Sequence, residues 1–394
     1  MKDLTNLKTY IIDSEDPHEV DDAISLEIKE GNKKKLWVHI SNPSSLFLLD
    51  SPTDIYARKK HSSLYLTDKY IPMLPNEIIN EANLQQNKVS NTISASIEFN
   101  ENGSINNYEI FEALIKPKYQ LTYEDADEII ELEPKEEYEL IELKNILLKS
   151  INHRKSQGAI IFDTSFSKFK IIKGNVVLTR FEKKLSQIII AEAMILMGYV
   201  TSKYLIDNNL AAVYRSQKIN CNYNELLDRF KDSEIKYIIL KQFIGKSYIT
   251  TKPSKHECLG LESYVQCTSP LRRYLDLIIQ RQIYNKINHL KVLETGYMSE
   301  IIDYSRSRQF EINNIYKDDK IKYLFIFFNN ENRTYYKIIF VKWINYKKNI
   351  ALVYFPDYLL EILIILYVSI DIYSNKVYKV KYNKNNNNLL EFIY

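Results

Sequence analysis

Three cysteines in 394 residues, Cys221, Cys258 and Cys267, are too few for a disulfide framework, and none sits in a Cys-x-x-Cys pair. A reduced compartment follows, and a zinc site is disfavoured. Charge of one sign is also missing. Lys and Arg total 53 against 50 Asp and Glu, a net charge of +3. That balance excludes a histone-like binder, so any nucleic-acid site must come from local patches. Long apolar runs are lacking as well: the stretch 359–370 is broken by Glu361 and is too short to span a bilayer. The first ten residues, MKDLTNLKTY, carry neither an apolar leader core nor an Arg/Ser-rich transit pattern. The expectation is a soluble protein that stays in the compartment where it is made. Hydrophobic content of 45% and mean hydropathy of −0.31 fit a globular chain of two or three domains.

What is present reads first as alternation. Residues 8–40 predict three strands, KTYIID, AISLEI and KLWVHI, with an acidic loop between the first two and a turn at Gly31–Asn32. Residues 53–70 predict a helix followed by extended chain. Strand character returns over 94–121, with Asn102–Gly103 as a hairpin turn. Thr122 followed by Glu124 and Asp125 predicts a capped helix start, with helical spacing to Lys149. Residues 158–173 predict a strand and a turn. Residues 184–208 predict a helix apolar nearly all round, hence buried. Helices are expected over 222–245, 270–290 and 297–320, the second starting at Ser269–Pro270. Beyond Arg333 five short strand-like runs predict a small barrel or sandwich, with a domain boundary near that residue.

The acidic loop carries the chemistry. Asp13, Glu15, Asp16, Glu19, Asp21 and Asp22 place six carboxylates within ten residues. Asp13 closes a strand, Pro17 bends the chain back, and Asp21 and Asp22 precede the next strand. Such a density of hard oxygen donors suits Mg²⁺ or Mn²⁺. The loop is no EF-hand, and read alone it also fits a solvated acidic turn. A second segment, Thr268-Ser-Pro-Leu-Arg-Arg-Tyr, is expected to put Arg272 and Arg273 in the first turn of a helix. Cations are unfavourable there unless they serve an anion, and Arg grips phosphate bidentately. Arg154 with Gly158–Phe162, and Tyr65 in HSSLYLTD, add a third cation and two rings able to stack bases. Each also has a plainer reading: Tyr65 and Phe162 as packing residues, the arginines as surface ion-pair partners. Glu192, inside an apolar helix, requires a partner, and a structural ion pair is the expectation.

Taken in order, IDSEDPHEVDDAIS (12–25), WVHISNPSSL (37–46), RKKHSSLYLTDKYIPMLP (58–75), LTYEDAD (121–127), RKSQGAIIF (154–162), AEAMILMGYV (191–200), LAAVYRSQ (210–217) and HECLGLESYVQCTSPLRRYLDLIIQRQI (256–283) resemble the RNB catalytic domain of the ribonuclease II and ribonuclease R exoribonucleases. The resemblance spans roughly residues 8–330 and rests on the ordered set of motifs. It implies an α+β fold: a catalytic domain of mixed sheet and helices around an RNA channel over 1–333, then a small all-β OB-like RNA-binding barrel over 334–394. It implies processive 3′-to-5′ hydrolysis of single-stranded RNA to nucleoside 5′-monophosphates with Mg²⁺, Mn²⁺ being the alternative ion. Asp13, Glu19, Asp21 and Asp22 would hold the metal, Asp21 being the most critical for cleavage. Arg272 would bind the scissile phosphate, with Arg273 beside it on the RNA, and Tyr65 and Phe162 would clamp the terminal bases.

This sequence departs from the family pattern in places. Glu19 stands where many members have Asp, Gln280 where a His is usual, and Tyr316 where a helical Glu is expected. The catalytic motif begins near residue 8, so the resemblance gives no front cold-shock barrels. A catalytically weak RNA-binding factor on the same fold is the rival reading. The expected partner is single-stranded RNA, with no membrane, and the expected state is a monomer. The 31 tyrosines, abundant Ile, Lys and Asn, and the run Asn385–Asn388 point to AT-rich codons. With the short form, that favours the plastid stroma, or else a bacterial cytoplasm. The Lys/Tyr-rich stretch 376–384 is either an RNA-tracking face or drift.

Overall fold

Strand alternation sorts the apolar residues onto the two faces of one large sheet. The computed structural model describes residues 1–161, 165–219, 225–226, 236–331, 333–367, 376–383 and 389–392. Its strands begin with β1 (Lys2–Asp3), β2 (Thr9–Asp13), β3 (Asp22–Lys29) and β4 (Lys33–Ser41). Helix α1 (Pro52–Lys60), the short pair β5 (Leu64–Tyr65) and β6 (Tyr70–Ile71), and α2 (Asn76–Ala82) follow. Then come β7 (Ser90–Phe99), β8 (Ile105–Ile115) and β9 (Tyr119–Thr122). The sheet order is β1-β8-β7-β4-β3-β2-β9. It is mixed, because β1 runs parallel to β8 and β9 parallel to β2, while the remaining pairs are antiparallel. Tyr10, Ile12, Ile24, Leu36, Val38 and Ile40 face the main core, and Ile11, Ala23 and Trp37 face a smaller one on the other side.

Helices cover the main face. They are α3 (Tyr123–Leu132), α4 (Tyr138–Ser156) and α5 (Leu185–Asp207). Thr122 and Asp125 form the expected capping box at the head of α3. The helical stretch 122–149 divides between α3 and α4, with Pro134 in the break, where its missing N–H forbids helix continuation. By length and composition α5 could cross a membrane, yet 61% of its most apolar window is buried against the protein. Ile189, Ala193, Leu196 and Val200 join the main core, as expected of a helix apolar all round. Between α4 and α5 lies a hairpin of β10 (Phe166–Ile172) and β11 (Asn175–Phe181).

After β12 (Tyr214–Ser216), α6 (Lys236–Lys241) and β13 (Tyr248–Thr250), the chain enters α7 (Tyr274–Ile287) and α8 (Thr295–Asn330). Of the helix expected over 222–245, residues 222–224 and 227–235 lie outside the described residues. The expected polar helix at 297–320 runs ten residues further, because Leu324 and Phe328 bury against the last element. That element is a closed barrel of β14 (Tyr336–Asn345), β15 (Ile350–Phe355), β16 (Leu360–Tyr367), β17 (Val377–Asn383) and β18 (Leu389–Phe392), in the order β14-β15-β16-β18-β17. Inward residues Ile338, Phe340, Val353, Phe355, Ile362 and Val380 fill it. The architecture is therefore α+β.

Candidate active site

Asp13 and Asp22 meet because β2 ends where β3 begins. The register also sets Asp13 beside Thr122 at the head of α3. The loop between is fixed from outside: Asn83 accepts from the Val20 N–H at 2.8 Å, and Val20 O accepts from the Leu84 N–H at 3.2 Å. At its far end Asp21 O accepts from the Ser41 N–H at 2.7 Å.

The buried carboxylate of Asp21 is held from the 268–274 segment. Its Oδ1 accepts from the Leu271 N–H at 2.9 Å, and its Oδ2 lies 3.2 Å from Arg272 Nε. Burial pushes Asp21 up to about 7, against the pull of Arg272 and the Leu271 N–H. Burial also raises Asp22 to about 7, and the charges of Asp13 and Asp21 add to it. Burial raises Asp13 too, opposed by the Ser14 N–H and by Arg272. These groups therefore feel one another through a poorly solvated space. Among the described residues no donor reaches the Asp22 carboxylate. Burial works against the Arg272 charge, but Asp21, Tyr65 and Asp22 hold it in place. Its side chain keeps 42% exposure, so one edge of the guanidinium is open.

Glu19 is the carboxylate set apart. Its Oε1 accepts from Ser63 Oγ at 2.7 Å and its Oε2 from the hydroxyl of Tyr65. The Tyr65 ring, 42% exposed, leans on Tyr70 at 5.3 Å between centroids, and Tyr70 stacks on His18 at 4.2 Å. Helix α8 crosses this wall. Tyr316 accepts from the Tyr65 N–H at 3.1 Å, and one turn on Asp319 accepts from the Thr67 hydroxyl at 2.8 Å.

The start of α7 differs from expectation. Residues 270–272 are turn, Arg273 is the N-cap, and the helix begins at Tyr274. Neither arginine sits in its first turn. The reason lies in side-chain pairing: Asp276 accepts from the Ser269 N–H at 3.0 Å and from Arg273 at 2.6 Å, while Asp21 draws off Leu271 and Arg272. The strip 272–274 then bonds to 61–63, with Ser63 N–H to Arg272 O and Tyr274 N–H to His61 O. Arg273 is thus bonded to Asp276 and acts on Asp21 and Asp22 only through its charge, while Arg272 makes the direct contact with Asp21.

Arg154 is not at the surface. It is buried against Glu192, with Nε to Oε1 at 2.9 Å, and it donates to Leu259 O at 2.7 Å. This is the partner that Glu192 required, and it removes Arg154 from the phosphate-facing set. Gln280 is buried behind the site, accepting from Ser44 Oγ at 3.1 Å. Phe162 lies outside the described residues. Sequence reasoning missed Ser63, Tyr70 and Asp319. Ser63 and Tyr70 lie in the RKKHSSLYLTDKYIPMLP motif, but nothing in spacing ties them to Glu19.

Among the described residues no three Asp, Glu, His or Cys side chains stand grouped as a ready cage for an ion. The donor set still fits Mg²⁺, which takes one or two carboxylates and keeps water on its other positions. Asp22, raised by burial and further by its neighbours' charge, and reached by no donor among the described residues, is the group a cation would relieve, with Asp13 and Asp21 beside it.

A family model described as the RNB domain matches residues 1–289. An uncharacterized ribonuclease of Synechocystis is 34% identical over 284 residues, covering 71% of this chain and 43% of the relative. The chloroplastic/mitochondrial ribonuclease II of Arabidopsis thaliana is 30% identical over 289 residues, covering 71% and 36%. The chain thus spans less than half the length of these relatives. Among solved structures, Mycoplasma genitalium RNase R in complex with ribose-methylated single-stranded RNA aligns with a TM-score of 0.86 at 17% identity, covering 100% of this chain and 72% of that one.

Proposed function

The chain belongs to the RNB family, and on that premise we propose that it is a processive 3′-to-5′ hydrolytic exoribonuclease of the ribonuclease II type. Its substrate is single-stranded RNA and its products are nucleoside 5′-monophosphates. The observation that carries the proposal is the set of mutually repelling carboxylates, Asp13, Asp21 and Asp22, facing one half-open guanidinium, Arg272. The names of the relatives, ribonucleases all, support the same reading.

In this reading Asp13, Asp21 and Asp22 would hold the metal, and Glu19, now bonded to Ser63 and Tyr65, would be the fourth carboxylate. Bound there, a divalent ion would supply Lewis-acid chemistry for phosphodiester hydrolysis. Arg272 turns its open edge to the scissile phosphate and stabilises the charge that builds on it. Leu271 and Arg272 together keep Asp21 oriented. Tyr65 offers its ring to a terminal base, and Phe162 is the second base-stacking ring that the family resemblance implies. Arg273 sets the turn that aims Arg272. Residues 1–333 form the catalytic unit and 334–394 a diverged OB-type RNA-binding barrel. The protein acts as a monomer off the membrane. The plastid stroma is its compartment, in keeping with the chloroplastic name of the Arabidopsis relative.

The rival reading, an RNA-binding factor with little activity, draws on Glu19 being occupied by Ser63 and Tyr65. A 5′-labelled polyadenylate strand incubated with Mg²⁺ or with EDTA separates the two. Mononucleotide release that needs Mg²⁺ is expected. Binding without any release in Mg²⁺ or Mn²⁺ would leave the rival standing.

A further inference from the structure

The β10–β11 hairpin presents a surface the proposed active site does not use. Residues 165–181 carry four cations, Lys168, Lys170, Lys173 and Arg180, and no carboxylate, in a chain whose total net charge is +3. Antiparallel pairing sets Phe166 opposite Phe181, Lys168 opposite Thr179 and Lys170 opposite Val177. Alternation therefore brings Phe166, Lys168, Lys170 and Phe181 onto one face. The two phenyl rings stack at 5.4 Å with 16° between their planes, and Phe166 is 45% exposed. Lys168 lies 5.5 Å from the Phe166 centroid and Lys170 5.3 Å from that of Phe181.

The opposite face is anchored. Phe169 is buried in the barrel core with Leu324 and Phe328, and its ring lies 5.9 Å from that of Phe327 on α8. Ser167 N–H donates to Leu359 O at 3.3 Å, and Arg180 donates to Asp357 O at 2.9 Å. The aromatic pair is partly open to water and flanked by lysines, on a hairpin whose other face packs on the barrel. Its chemistry matches a single nucleic-acid strand, in which bases stack on rings and phosphates meet ammonium groups whatever the sequence. The hairpin also directly follows the 154–162 segment and abuts the barrel.

We propose that the face formed by Phe166, Phe181, Lys168 and Lys170 is a docking platform for single-stranded RNA upstream of the cleaved end. A base stacks on the Phe166–Phe181 pair, and the two lysines leave the rings to meet adjacent phosphates. The proposal rests on the exoribonuclease reading and adds a distal subsite to it.

The test uses the full chain in EDTA and a fluorescent polyadenylate strand of about 25 nucleotides, longer than a typical single-strand site. Lys168→Ala/Lys170→Ala should weaken binding about tenfold and make the slope of log K against log salt about 1.4 shallower. Phe166→Ala should weaken binding about tenfold with the slope unchanged. Lys168→Arg/Lys170→Arg and Phe166→Trp should bind as the parent does, which separates loss of contact from loss of fold. With Mg²⁺, a pentanucleotide, which has almost no strand upstream of the cleaved end, should be hydrolysed by every variant at the parental rate. Parental affinity and slope in both alanine variants would overturn the platform and leave the nuclease reading intact. A parent that binds no RNA overturns both.

Discussion

Arg272 Nε lies 3.2 Å from Asp21 Oδ2, while the N–H of the preceding residue, Leu271, donates to Asp21 Oδ1. A carboxylate from the amino-terminal loop and a guanidinium some 250 positions later thus share one interaction. The consequence is that Asp21 orients Arg272 as much as Arg272 neutralises Asp21. Asp21→Asn keeps the shape and one acceptor for the Leu271 N–H, but it removes the charge and the second acceptor, the one that meets Arg272. RNA binding in EDTA should stay within about threefold of the parent, while mononucleotide release should fall by on the order of 10³. Release at the parental rate would remove Asp21 from the reaction.

Arg272→Ala should act differently. It removes the proposed phosphate contact and leaves Asp21 buried without its cation. Release should drop by about 10² to 10³, as for the loss of a donor that acts on developing charge. Arg273→Ala should instead lower stability, since Arg273 bonds to Asp276 and Ser269 at the head of α7. Thermal unfolding beside a turnover assay distinguishes the two. If Arg273→Ala cost more activity than Arg272→Ala, the roles assigned here would be reversed.

The Tyr65 ring and hydroxyl make separable contributions. Tyr65→Phe keeps the ring and frees Glu19 Oε2 from its hydroxyl donor. Stacking should survive, so affinity for a short strand should hold, while the metal concentration for half-maximal activity shifts as Glu19 becomes available. Tyr65→Ala removes the stacking surface as well, and affinity should fall about tenfold. A titration of activity with Mg²⁺ in the three proteins reads both effects. Equal affinity of the Ala and Phe variants for RNA would exclude base stacking at this position.

Much of this arrangement was legible in the chain, and the exceptions share a cause. Alternating apolar residues mark β2, β3 and β4, and the carboxylates at their ends follow from those boundaries. Five short apolar runs mark the barrel. The start of α7 misled because Ser269–Pro270 is sound local helix chemistry. Asp276 and Asp21, the latter remote in sequence, compete for the same backbone and delay the helix to Tyr274. Arg154 misled in a similar way: its pairing with Glu192 spans 38 positions and leaves no local signal. Glu19 shows the same limit, because its occupants Ser63 and Tyr65 arrive from the β5 segment. Periodicity reports which face is buried, but the choice of polar partner depends on tertiary approach.

The pair Arg154–Glu192 also yields a stability prediction. Both side chains are buried, and Ser150 Oγ adds a bond to Glu192 at 2.7 Å. Removing one partner leaves the other charge stranded between α4 and α5. Glu192→Gln or Arg154→Met should each cost about 3–5 kcal/mol, and the double substitution less than their sum. Urea unfolding of the three variants reads the coupling directly. Additive losses would mean that the two groups do not depend on each other.

His39 gives the pH dependence its sign. It is fully buried on β4 between Ser25 Oγ and Ser94 Oγ, each at 2.8 Å, and burial lowers it to about 3. An unfolded-chain histidine titrates near 6.5. Between those values the unfolded chain takes up a proton that the native ring refuses, so its stabilising effect is full above pH 6.5 and drains away on acidification. From pH 7 to pH 5 the expected loss is about 2 kcal/mol from this residue alone. Asp21 and Asp22, raised to about 7, contribute with the opposite sign, their stability falling as pH rises. The measurable quantity is therefore the difference between the parent and His39→Gln, which keeps hydrogen-bonding atoms and does not titrate. Urea midpoints at pH 7 and pH 5 should converge for the two proteins as the pH falls. A constant gap across that range would mean that His39 is protonated in the native state or is not buried as described.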